Sequence, residues 1–201
     1  MLRVGLTGGL ASGKTFVGHA LRDLGCYLIE ADELGHQVLL PGAEAYAAVI
    51  DAFGDDILDQ DRYIDRHKLG ERVFGKPELL AKLSSLVHPP VAQRQERAIA
   101  EIARTNPDAI VVVEAAILVE TGSYKKFDKL IVVVSTPEQQ MERALKRGAY
   151  TKEEVLARLS RQLPLEEKLR VADYVIDTSG AKENTLEQVR AMYGSLRSLS
   201  A

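Results

Sequence analysis

Near the amino terminus, Gly8-Gly9-Leu10-Ala11-Ser12-Gly13-Lys14-Thr15 fits the spacing G-x-x-x-x-G-K-[ST]. These residue types suit one task, the cradling of phosphate. Glycines without a Cβ let successive backbone N–H groups turn towards one point and form an anion nest. A helix starting there adds the partial positive charge of its first turn. The Lys14 ammonium can reach the β- and γ-phosphates of a nucleotide, and the Thr15 hydroxyl can ligate Mg²⁺. Gly9, Leu10, Ala11, Ser12, Gly13, Lys14, Thr15 and the adjoining Phe16 are therefore the expected nucleotide contacts.

A second group of interest is the carboxylate of Asp32, in Glu30-Ala31-Asp32 after a short apolar run. Ligands of open α/β sheets bind outside the carboxyl ends of the strands. A carboxylate there can accept the proton of an attacking hydroxyl. It can also cap a helix over Glu33–Leu40. The stretch Glu138–Lys168 carries Arg143, Lys146, Arg147, Arg158, Arg161 and Lys168 with few large apolar residues. It reads either as a solvated helix pair or as a mobile lid that brings cations to a transferring phosphoryl group, and the phosphate loop favours the lid. His88-Pro89-Pro90 is expected to end one helix and begin the next. His19, His36, His67 and His88 show no paired metal-ligand spacing, so a zinc site is not expected.

The elements that must position these residues follow from apolar patterning. Leu2–Leu6, Cys26–Ile29, Ile110–Val113, Lys129–Val134 and Tyr174–Ile176 read as strands with helical patterns between them. The third and fourth lack polar alternation, as strands buried on both faces should. Strand and helix alternating in this way argue for an α/β fold with a doubly wound, five-stranded parallel sheet. About 80 residues separate the second strand from the third, too many for one crossover helix. They contain helical stretches over Ala43–Phe53, Lys68–Phe74, Glu78–Val87 and Pro90–Arg104, a helical insertion suited to a second substrate. Gly54–Asp61 is expected to be a solvated acidic loop, and Glu183–Leu199 a packing helix.

With 201 residues the chain suits a single domain, 1–201, with the insertion at about 35–105 and the lid at about 141–168. Twenty-six basic against 29 acidic residues leave a net charge of −3, which offers no case for nucleic acid or an anionic membrane as partner. The single cysteine, Cys26, excludes an internal disulfide and is expected to be a buried, inert thiol. The phosphate loop begins too early to leave room for a signal peptide, and no run approaches a membrane span, so a cytoplasmic location is expected.

Beyond the loop, the chain resembles the dephospho-CoA kinase family nearly end to end. The family opens with Gly-Leu-Thr-Gly-Gly-Ile-Gly-Ser-Gly-Lys-Ser, to which Gly5–Thr15 is similar. Its acidic-Ala-Asp matches Glu30-Ala31-Asp32, and its Leu-Asp-Arg-x-x-Leu with Val-Phe resembles Ile64–Leu69 with Val73-Phe74. Its His-Pro stands as His88-Pro89. Its lid pattern resembles Gln140–Arg147, Arg158 to Gln162, Lys168 and Ala172-Asp173. The resemblance implies transfer of the γ-phosphoryl of ATP to the ribose 3′-hydroxyl of dephospho-CoA, yielding CoA and ADP. It implies Asp32, Lys14 and Arg143 as the catalytic set, with Arg147 closing beside Arg143 over the nucleotide. It also implies Arg66, His88 and Pro89 with Asp32 around the acceptor, and Thr15 with Glu114 at Mg²⁺.

The chain departs from the family in places. Glu114-Ala115-Ala116-Ile117-Leu118-Val119-Glu120 replaces Asp-x-Pro-Leu-Leu-Phe-Glu, so the acid after the third strand is longer by a methylene. Thr178-Ser179-Gly180 replaces Asn-x-Gly, and Gly148 replaces an Asp that follows the second lid arginine. Another small-molecule kinase, such as a nucleoside monophosphate kinase, would share fold, loop and lid. A GTP-dependent switch is disfavoured, because Asp32-Glu33-Leu34-Gly35 spells D-x-x-G too close to Thr15 and no Asn-Lys-x-Asp motif occurs.

Overall fold

The computed structural model describes residues 1–146, 148, 151–160 and 162–200. In chain order the elements are β1 (Leu2–Gly8), α1 (Lys14–Asp23), β2 (Tyr27–Glu30), α2 (Ala31–Gln37), α3 (Tyr46–Phe53), α4 (Arg66–Val73) and α5 (Pro77–Thr105). They continue as β3 (Ile110–Glu114), β4 (Lys129–Val134), α6 (Pro137–Lys146), α7 (Lys152–Leu159), α8 (Leu165–Leu169), β5 (Tyr174–Asp177) and α9 (Lys182–Ser200). The chain divides into two compact units, residues 1–30 with 101–201 and residues 31–100.

The first unit holds the sheet. Its strands run parallel in the order β2-β3-β1-β4-β5. Ile110, Val111, Val112 and Val113 on β3 are buried, as are Ile131, Val132 and Val133 on β4, which is what unbroken apolar runs require. Leu2, Val4 and Leu6 of β1 share a core with Val17 and Leu21 of α1 and with Val189, Met192 and Leu196 of α9. The chain leaves β1 for β2 on one side, and β4 lies on the other. Strand order therefore reverses at the carboxyl end of β1, the switch point where α/β sheets bind ligands.

The second unit packs Val38, Val49, Phe53, Ile57, Leu58, Ile64, Leu69 and Val73 into its own core. Two expectations fail here. Ile57 and Leu58, placed in a solvated loop by their acidic neighbours, are 1% and 8% exposed. The prolines of His88-Pro89-Pro90 do not separate two helices: α5 runs unbroken through Pro89 and Pro90 for 29 residues. Leu79, Leu83, Leu86, Val87 and Val91 form one helical stripe on the unit's core, and Val87 and Val91 keep its register across the proline pair. That burial offsets a cost of about 3 kcal/mol per interior proline. Among the described residues no helix is long and apolar enough to cross a membrane.

Candidate functional site

The loop between β1 and α1 lies at the switch point, and its glycines have separate reasons. A side chain on Gly8 would overlap the Val133 carbonyl oxygen of β4. Gly13, the residue before α1, has φ 93° and ψ 15°, a left-handed conformation that favours glycine. A Cβ there would also stand 3.2 Å from the Thr178 side chain. No side chain caps α1 and no acid occupies its first turn. Its first N–H groups are thus directed at the loop without a competing carboxylate, the arrangement that attracts an anion. Ala11 sits at φ 54°, left-handed for a residue with a Cβ, where the family pattern has glycine. Its methyl is buried with Ala144 of α6 and Val155 of α7, which offsets the strain.

Lys14 Nζ donates to the carbonyl oxygens of Gly8 at 3.3 Å and Gly9 at 3.1 Å, so the ammonium is held across the mouth of the loop. Thr15 Oγ1 donates to Glu114 Oε1 at 2.8 Å. Glu114 closes β3 opposite Leu6 of β1 and is 6% exposed. A hydroxyl and a carboxylate oxygen meeting beside a phosphate loop form a hard-oxygen pair, a donor set that fits Mg²⁺.

Arg143, on α6, donates from Nη1 to Thr178 Oγ1 at 3.0 Å and from Nη2 to the Thr178 carbonyl at 2.7 Å. The buried Thr178 hydroxyl donates to the Ser12 carbonyl at 2.7 Å, with the Val134 carbonyl 3.1 Å away. Thr178 thus ties the phosphate loop, the end of β4 and Arg143 together. Sequence reasoning missed this pin, although the Thr178-Ser179-Gly180 departure marked the place. Beside it opens a cavity of about 390 Å³ lined by Phe16, Arg143, Lys146, Thr178, Lys182 and backbone of the loop. Lys182 Nζ stands 5.9 Å from the centre of the Phe16 ring, within cation–π range. Apolar ring, cations and hydroxyl together suit a flat, polyanionic ligand.

Other motif residues hold structure. Asp173 accepts from Lys129 Nζ at 2.9 Å and from the Leu130 backbone at 2.8 Å, joining the starts of β4 and β5. Lys168, 2% exposed, pairs with Glu120 at 2.6 Å. Asp65 caps α4 through the His67 and Lys68 N–H groups. The Lys68 and His67 N–H bonds hold its carboxyl below the usual carboxylate range. Cys26 is buried, and desolvation pushes its thiol up to about 12 against an opposing pull from Arg197.

The first unit therefore brings together Gly9 to Phe16, Glu114 and Arg143. Arg147 lies outside the described residues. In the second unit, Asp32 is exposed in the first turn of α2, one residue inside the helix rather than at its cap. Arg66 opens α4 and is exposed, and His88 and Pro89 are exposed on α5.

The site can be set against known proteins. The dephospho-CoA kinase family model matches residues 2–184. The chain is 43% identical over 186 residues to a dephospho-CoA kinase of Carboxydothermus hydrogenoformans, covering 92% of this chain and 90% of that one. A crystal structure from Thermus thermophilus is similar with a TM-score of 0.79 at 28% identity, covering 97% of both chains. A dephospho-CoA kinase structure from Campylobacter jejuni gives a TM-score of 0.72 at 25% identity, covering 99% of this chain and 98% of that one. With the family model matching nearly the whole chain and a relative 43% identical over 92% of it, the chain belongs to the dephospho-CoA kinase family.

Proposed function

We propose that the chain transfers the γ-phosphoryl group of ATP to the ribose 3′-hydroxyl of dephospho-CoA, giving CoA and ADP. The observation that carries the reading is convergence at one point: an uncapped α1 N-terminus, Lys14, and the Thr15–Glu114 pair. Phosphoryl transfer needs little covalent help from a protein; it needs positioning and charge neutralisation. The loop backbone N–H groups between Gly9 and Thr15, except that of Leu10, which donates to Gln162, hold the β- and γ-phosphates, and Lys14 exchanges its loop carbonyls for phosphate oxygens. Phe16 and the cavity beside Thr178 take the nucleoside. Thr15 and Glu114 would hold Mg²⁺, which when bound neutralises charge on the β- and γ-phosphates.

On the acceptor side, Asp32 orients the hydroxyl and takes its proton as the oxygen attacks phosphorus. The bond from the γ-phosphorus to the bridging oxygen breaks, and the electron pair leaves with ADP. Residues of about 35–105 supply the acceptor site, with Arg66, His88 and Pro89 at its wall. The segment of about 141–168 serves as a lid that brings Arg143 and Arg147 to the transferring group. A cytoplasmic location belongs to the same reading.

The test is a panel assay. With ATP and Mg²⁺, ADP release should depend on dephospho-CoA and stay at background with AMP, CMP, pantothenate or adenosine. ADP release led by AMP or CMP would instead indicate a nucleoside monophosphate kinase.

A further inference from the structure

One polar contact of the loop has no part in the mechanism above. The Leu10 backbone N–H donates to Gln162 Oε1 at 3.0 Å. Gln162 lies between α7 and α8, 152 residues away in sequence. A phosphate-loop N–H is thereby committed to a side-chain acceptor. At the neighbouring Gly9, Gln140 of α6 lies so close that a Cβ there would displace its amide nitrogen.

The contact is seated by apolar packing. Ala11, Ala144 and Val155 form a buried cluster, joined by Leu10, Met141 and Leu159. Loop residues 10 and 11 therefore carry both the apolar seat of α6 and α7 and the hydrogen bond that registers them. Apolar contact alone is non-directional and tolerates sliding. A hydrogen bond to one backbone N–H fixes a single register. Met141 and Ala144, the α6 residues on the seat, flank Arg143 in sequence. Whatever fixes α6 on the loop therefore also fixes where the Arg143 guanidinium starts.

We infer that Gln162 is a positioning residue for phosphoryl transfer: its amide oxygen docks the α6–α8 segment on the Leu10 N–H and so sets the placement of Arg143 relative to the phosphate loop. The inference rests on the kinase reading above, and its test separates the two. The probe pair is Gln162→Met, which keeps length and loses the acceptor, and Gln162→Glu, which keeps the acceptor.

Amide hydrogen exchange of Leu10, measured by NMR without nucleotide, reads the docking contact independently of activity. Leu10 should be protected in the parent and in Gln162→Glu, and should exchange about tenfold faster or more in Gln162→Met. In the dephospho-CoA assay, Gln162→Met should lower kcat by about tenfold or more with KM for ATP little changed, since misplacement acts on the transition state. Unchanged Leu10 exchange in Gln162→Met overturns the contact. Faster exchange with unchanged kcat overturns the positioning role. An inactive parent with normal Leu10 protection counts against the kinase reading and leaves the docking contact standing.

Discussion

Replacing Thr178 by Val tests the pin under the site with almost no change of shape. The hydroxyl donates to the Ser12 carbonyl at 2.7 Å and accepts from Arg143 Nη1 at 3.0 Å. A neutral hydrogen bond is worth about 1 kcal/mol net, and one from a charged donor about 1.5–3 kcal/mol. Arg143 is partly solvated and keeps its second bond to the Thr178 carbonyl, so the lower end applies to it. The expected loss is about 2.5 kcal/mol. For a chain of 201 residues that corresponds to a melting temperature lower by about 5–10 °C. The valine methyl fills the volume of the hydroxyl it replaces, so no cavity forms. Thr178→Ser, which retains the hydroxyl, should recover most of the loss. The loosened loop and Arg143 should also lower kcat by about tenfold. Calorimetry and the ADP assay read the two effects. A Thr178→Val melting temperature within about 1 °C of the parent, with unchanged kcat, would refute the pin.

Other expectations follow from the same geometry. Lys14→Ala should reduce kcat by about 10²-fold or more while the melting temperature barely moves, because Lys14 bonds loop carbonyls and packs no core. Asp32→Asn should cut turnover by about 10²-fold with little change in stability, since Asp32 is exposed in the first turn of α2; a variant retaining most activity removes Asp32 from the chemistry. Cys26 should resist thiol reagents at pH 8 in the folded protein and react once guanidinium unfolds it. Burial raises its folded value to about 12 from 9.0, so its stabilising contribution is complete below pH 9 and fades as pH rises towards 12. Rapid stoichiometric labelling of folded protein would contradict that environment.

Much of this protein is written locally. The strands over Ile110–Glu114 and Lys129–Val134 were legible because burial on both faces demands unbroken apolar runs. The phosphate loop was legible because its glycines, lysine and threonine act through backbone geometry within eight consecutive residues. Where long-range packing competes with local preference, the sequence misleads. Pro89 and Pro90 look like a helix boundary, yet the stripe from Leu79 to Val91 keeps α5 whole, a contribution that exists only once the second core has formed. Partnerships were invisible as well. Lys168 and Glu120 could each be read as solvated charges, and only the fold makes them a buried pair. The Thr178 hydroxyl reaches Ser12 across 166 residues, and Gln162 reaches Leu10 across 152. Residue types alone determined that this chain builds a phosphate site on a parallel sheet. Which side chains brace that site was decided by tertiary structure, because a hydrogen bond depends on ångström-scale distance and direction that sequence separation does not encode.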